Sequence, residues 1–195
     1  VITVNTYIAK KFSIVKEQFN HLDVAYDNAF YLQHTSDCFV NIDDVRALEE
    51  MWRIKKPSRG KTGMVYISTA IIIEYNGQSI LNFDHYHLNL WFEMLSVLDQ
   101  FLKNKYGIEN LYQNRLLLTL SADVDNQIRF QISNEENEIY TSKVLPEFEL
   151  VSKLLAGAKK FFHTLINFDI YSIEDINELF EPLDHAFNQR YGYQY

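Results

Sequence analysis

A chain of 195 residues that is 47% hydrophobic and 15% aromatic can bury a sizeable core, which excludes intrinsic disorder and any need for a disulfide or metal staple. Its net charge of −8, from 18 basic and 26 acidic residues, repels phosphate backbones and argues against nucleic-acid binding. The single cysteine, Cys38, excludes an intrachain disulfide and a Cys-based zinc site, and the longest apolar run, Ala70–Ile73, is far too short to span a membrane.

The first predicted element is a helix over residues 8–22. Ile8, Phe12, Val15, Phe19 and Leu22 fall at spacings of 4, 3, 4 and 3, one apolar stripe, with Lys10, Lys11, Lys16 and Glu17 mostly off it. Residues 24–40 carry no clear period. Ile42–Trp52 reads as a short helix, capped by Asn41 or Asp43, with Val45, Leu48 and Trp52 on one side. Pro57, Gly60 and Gly63 then break the basic stretch 53–63 into a loop.

Sheet follows. From Met64 to Tyr75, Val65, Ile67, Thr69, Ile71 and Ile73 alternate to one face. Asn76-Gly77 supplies the two positive-φ residues of a tight hairpin, and Gln78–Phe83 returns as the partner strand. Asp84 is placed as the cap of a helix running to about Lys105. Leu88, Trp91, Leu95, Leu98 and Leu102 form its stripe, and Gly107 its stop.

A meander comes next. Its strands are 115–121, 127–133 and 138–144, with turns at Asp123–Asn126 and Asn134–Asn137. Ile128, Phe130 and Ile132 alternate with polar neighbours, the pattern of a sheet with one wet face. Pro146 opens a long helix to about Asn167. Ser172 with Asp175 has the spacing of a cap for a last helix, which Pro182 is expected to kink or split. The tail from Arg190 to Tyr195 is expected to be loose. The order implies an α+β fold: an antiparallel sheet of about five strands, hairpin plus three-strand meander, with helices packed on it, in a single domain over 1–195.

No catalytic motif emerges, and no cofactor is implied. Gly60-Lys61-Thr62 has the ending of a phosphate-binding loop, but Lys55 stands where its first Gly should be. The basic stretch Arg53–Lys61 has only Trp52 as a nearby aromatic, so it reads as a solvated loop rather than a single-strand platform. Asp84-His85-Tyr86-His87 alone has metal-ligand character. Two His separated by one residue can reach one metal, yet no acid or His lies at helical ligand spacing to both, so the pair is expected to be structural and metal-free.

One asymmetry stands out. Residues 161–189 hold Asp169, Glu174, Asp175, Glu178, Glu181 and Asp184, with no Lys or Arg. On a helix, Glu174, Glu178, Glu181 and His185 share a stripe, with Ile176, Leu179, Leu183 and Phe187 opposite. The stripe is either an ordinary wet face or an acidic patch for a basic partner.

The order of elements carries a resemblance. A strand and tight turn, Ile71-Ile72-Ile73-Glu74-Tyr75-Asn76-Gly77, lead to a helix bearing Leu90-Trp91-Phe92. A meander from Leu116 to Val144 follows, then a helix with Ala158-Lys159-Lys160-Phe161-Phe162. Over about residues 64–167 this outline resembles small bacterial immunity proteins encoded beside polymorphic or contact-dependent toxins. The resemblance implies a cytoplasmic antitoxin that neutralises one cognate protein toxin by stoichiometric binding, without catalysis, nucleic acid or membrane. The class shares no catalytic motif, so no site residues carry over. An acidic surface suits a basic, nuclease-like toxin. Two rivals remain at this level: a metal-dependent or His-based hydrolase using His85 and His87, and a structural or regulatory subunit of a bacterial assembly. A chain beginning at Val1 also leaves open a preceding segment, a secretion signal among the candidates.

Overall fold

The structure, a computed structural model, describes residues 1–20, 27–60, 65–111 and 115–192. In chain order the elements are β1 (Ile2–Ala9), α1 (Phe12–Gln18), α2 (Asn28–Gln33), α3 (Thr35–Cys38), β2 (Phe39–Asn41), α4 (Val45–Ile54), β3 (Ser58–Arg59), β4 (Val65–Tyr66), β5 (Ser68–Tyr75), β6 (Gln78–Leu81), β7 (His87–Leu88), α5 (Leu90–Asn104), β8 (Tyr106–Leu111), β9 (Leu116–Ala122), β10 (Gln127–Asn134), β11 (Ile139–Pro146), α6 (Glu147–Asn167) and α7 (Ile173–Tyr191). This is the expected α+β architecture of antiparallel sheet with helices packed on it. The hairpin and the meander belong to two separate sheets.

The first sheet runs β2-β1-β5-β6, with β7 also pairing β5. Its central strand, β1, occupies part of the segment expected to be helical. Ile2, Thr6 and Ile8 point inward and are buried, with Val4 partly so. The helical spacing from Ile8 onward is therefore a coincidence across a strand–helix boundary. Helix α1 begins only at Phe12, and Leu22 of that stripe lies outside the described residues. Thr6 is tolerated inside because its Oγ1 accepts a hydrogen bond from Trp91 Nε1 at 3.2 Å.

The hairpin forms as expected. Asn76 and Gly77 adopt φ of 50° and 77°, and Tyr75 pairs with Gln78. Val65, Ile67, Thr69, Ile71 and Ile73 are all buried, while Met64 lies outside the described residues. A bulge between Ile73 and Glu74 shifts the register so that Ile73 faces Leu81.

The second sheet is a four-strand meander in the order β11-β10-β9-β8. Strand β8 was not expected, because Gly107 reads as a helix stop. The stop is Lys105, at φ 60°. Gly107 lies within β8, where a Cβ would sit 2.1 Å from the Val97 carbonyl oxygen of α5. The glycine allows close approach of strand and helix. Asp84 is likewise not the cap of α5. It lies in a short 3-10 turn, its N–H bonded to Asn82, after which β7 returns to β5 and Asn89 enters the helix.

Helix α5 packs against β5 of one sheet and against β8 and β9 of the other, and α6 packs against β1, β10 and β11. The two helices thus join both sheets through one continuous apolar core, centred on Trp91, Phe101, Phe130 and Phe162. Where α6 crosses β1 it carries Gly157, against Val4 and Trp91. Helix α4 is capped by Asp44, which accepts from Ala47 N, rather than by Asn41 or Asp43. Helix α7 begins with the expected capping box, Ser172 and Asp175 each bonding the other's backbone N–H. Pro182 does not split α7. The missing N–H orphans the carbonyl of Glu178, but both residues are exposed, so solvent can satisfy it. Arg190 and Tyr191 belong to α7 and are partly buried, so the tail is held further than expected; Tyr193–Tyr195 lie outside the described residues. Among the described residues no helix is long and apolar enough to cross a membrane.

Candidate functional site

The outer face of α7 is built by its inner one. Ile176, Phe180, Leu183 and Ala186 are buried, at helical spacing, and fix the helix against the core. Glu174, Glu178, Glu181 and His185 are consequently exposed on the opposite side. The structure sorts the acids of this region by their partners. Asp175 is consumed by the capping box, and Asp184 is neutralised by Lys159 of α6 at 2.7 Å. Asp169 sits in the α6–α7 connection at φ 56°. Glu174, Glu178 and Glu181 make no ion pair with any described residue. His185 differs from them: its Nε2 lies 2.8 Å from Gln189 Nε2, an internal contact on the same helix.

Beside this face lies a groove of about 400 Å³ between α5 and α7. Glu178, Leu179 and Pro182 line it from α7, and Phe92, Asp99 and Lys103 from α5. Asp99 Oδ2 pairs with Lys103 at 2.7 Å, while its Oδ1 has no hydrogen-bond partner among the described residues. The result is a mostly apolar furrow with Glu178 as its carboxylate free of ion pairs among the described residues, suited to a side chain that is aliphatic along its stem and cationic at its tip.

The His pair does not converge. His87 is buried, and each of its ring nitrogens meets an acceptor: Nδ1 the His85 carbonyl at 3.0 Å, Nε2 the Glu93 carboxylate. It fastens β7 to the first turn of α5. Burial pushes His85 below the ordinary imidazole range, against the opposing pull of Asp84. No group of three or more His, Cys, Asp or Glu among the described residues could hold a metal ion. Cys38 is fully buried, and burial pushes its thiol up to about 11, far from a reactive thiolate.

The basic stretch after α4 is not merely solvated. Lys56 Nζ donates to the Phe168 carbonyl at 3.4 Å, and Arg59 donates to the Ile170 carbonyl. Both cations cover carbonyls just past the C-terminal end of α6, where the helix dipole favours positive charge. Lys61, Thr62 and Gly63 lie outside the described residues. Sequence reasoning missed a second hollow beside this stretch, lined by Lys10, Lys11, Tyr31, Trp52, Lys55 and Tyr66. Its sequence signals are the Lys10-Lys11 doublet, assigned above to the wet side of a helix, and Lys55 near Trp52, assigned above to a solvated loop.

No protein-family model matches this chain, and no curated protein or solved structure matches it significantly.

Proposed function

We propose that this protein is an immunity-type binding protein, which neutralises a cognate bacterial toxin in the cytoplasm by stoichiometric association. The observation that carries this reading is the row Glu174, Glu178 and Glu181, exposed and without ion pairs on a helix whose other face is fixed in the core. The helix that carries these carboxylates is already ordered, so on binding only their side-chain rotamers remain to be fixed. The adjoining groove offers apolar wall beside the carboxylates, so a basic partner can bury side-chain stems there while its charges meet the glutamates. The net charge of −8 adds long-range attraction for a basic, nuclease-like toxin. The resemblance of residues 64–167 to small immunity proteins supports the same class.

The test is association kinetics with a candidate basic toxin at two salt concentrations. The parent protein is expected to associate quickly at low salt and more slowly at high salt. A variant carrying Glu174→Lys, Glu178→Lys and Glu181→Lys is expected to fold normally, associate at least about tenfold more slowly at low salt and lose most of the salt dependence. Unchanged association of the variant removes α7 from the interface.

A further inference from the structure

The second hollow has a chemistry opposite to that of the molecule as a whole. It opens where β1 passes into α1, and is closed by the end of α4 and by β4. Its volume is about 190 Å³. Such a volume is below that of sites for drug-sized molecules, so its occupant is small.

None of the described residues lining it is acidic, although the chain has a net charge of −8. Three described lysines contribute to its wall, Lys10, Lys11 and Lys55, although the Lys10 ammonium turns away to Gln18. Lys11 Nζ donates to the Lys56 carbonyl at 2.9 Å and to Ser58 Oγ at 3.3 Å, and Lys10 Nζ donates to Gln18 Oε1 at 3.1 Å. These partners are all neutral, and no described carboxylate forms an ion pair with any of the three lysines. Burial, and then the charge of Lys55, push the Lys11 ammonium below its ordinary range. Two cations therefore repel each other at one mouth with no anion between them.

The remaining wall is aromatic. Trp52 and Tyr31 are buried, and Tyr66 stands exposed at the edge. Tyr31 is held by donating its hydroxyl to the Lys10 carbonyl at 2.8 Å and by stacking on Tyr86, with centroids 5.9 Å apart at 16°. Tyr31 is thus fixed against the Lys10 backbone at one side of the hollow.

We propose that this hollow binds a small aromatic anion, a single planar ring bearing one phosphate or carboxylate group, with the anionic group between Lys11 and Lys55 and the ring against Trp52 and Tyr66. Paired ammonium groups supply charge-assisted hydrogen bonds to the anion, and the aromatic wall supplies apolar area that an inorganic ion cannot use. The inference is independent of the toxin-binding reading, since the hollow does not share a residue with the α7 face.

The test is calorimetric titration of the whole chain with phenyl phosphate, benzoate, inorganic phosphate and benzyl alcohol, with tryptophan emission followed in parallel because Trp52 lines the site. Phenyl phosphate and benzoate are expected to bind with submillimolar Kd and to perturb the emission. Inorganic phosphate and benzyl alcohol, each lacking half of the recognition, are expected to bind at least about tenfold more weakly. Lys55→Gln is expected to weaken phenyl phosphate by about tenfold, as for one lost charge-assisted bond, and Lys55→Arg to retain most of the affinity. Lys11→Gln gives the same expectation but also removes the bonds to Lys56 and Ser58. Lys55 is exposed, with no side-chain bond to any described residue, so its variants keep the fold and decide the matter. Absence of binding by both aromatic anions, equal affinity for inorganic phosphate, or an unchanged Kd in Lys55→Gln overturns the proposal.

Discussion

Arg190 Nε donates to Glu147 Oε1 at 2.8 Å, joining the last turn of α7 to the first residue of α6. Tyr191 donates its hydroxyl to the same oxygen at 2.8 Å, and the Arg190 guanidinium lies 4.7 Å from the Phe101 ring centroid. Both charged side chains are largely buried, at 13% and 11% exposure. Removing one partner leaves the other charge without compensation in a place that water barely reaches. Glu147→Ala is expected to cost about 2–4 kcal/mol, read as a lower urea midpoint with little change in slope. Arg190→Met, which keeps apolar contact with Phe101, is expected to cost less than Arg190→Ala.

Gly107 and Gly77 separate two reasons for a glycine. Alanine at 107 drives a methyl into the Val97 carbonyl oxygen, a backbone atom of α5 that cannot swing aside as a side-chain tip can. Gly107→Ala is expected to cost at least about 2 kcal/mol. At Gly77 nothing lies within 4 Å of an added Cβ, and only the positive φ of 77° opposes substitution. Gly77→Ala should therefore cost about 1 kcal/mol. Denaturant midpoints of the two variants, measured side by side, check the difference; equal costs would contradict the close approach of β8 to α5.

The lowered pKa of His85 has a defined sign. The folded form takes up a proton less readily than the unfolded chain, whose imidazole titrates near 6.5. The contribution is therefore complete above pH 6.5 and is lost as the pH falls below it. Thermal unfolding between pH 7.5 and 5.5 is expected to show a smaller loss of Tm for His85→Asn than for the parent, carboxylate effects being common to both.

Cys38 should be chemically silent while the chain is folded. Its thiol is buried and raised from the usual 9.0 to about 11, so little thiolate exists near neutral pH and reagent has no access. Ellman's reagent at pH 8 is expected to label one thiol per chain only after denaturant is added, at a rate governed by unfolding. Immediate labelling of native protein would show that this small core cluster with Val15 and Tyr31 opens locally.

Elements whose signals are local could be read directly from the residues. The capping box at Ser172 and Asp175, the turn at Asn76-Gly77 and the buried faces of α5 and α6 needed only short-range spacing. Strand β1 was hidden because Ile8, Phe12, Val15 and Phe19 keep helical spacing across a boundary, while its true inward set is interrupted by Thr6, whose partner Trp91 is far away in sequence. Gly107 misled for a similar reason: only the nearness of Val97 distinguishes a packing glycine from a stop signal. In the candidate site, exposure of Glu174, Glu178 and Glu181 followed from the apolar stripe opposite. That Asp184 is not free could not be read, because its partner Lys159 comes from another helix.

The two sheets close their pairings over very different lengths of chain. In the meander each strand meets its immediate successor, whereas β1 aligns Ile2 with Tyr75 and holds the centre of its sheet. Closing so long a loop carries an entropic cost that short hairpins avoid. On contact-order grounds the β5–β6 hairpin and the meander are expected to form early, and the docking of β1 between β2 and β5 later. In a refolding chain where β1 has yet to dock, β5 would present an open edge rich in isoleucine, a place for mispairing between copies that the native pairing with β1 covers.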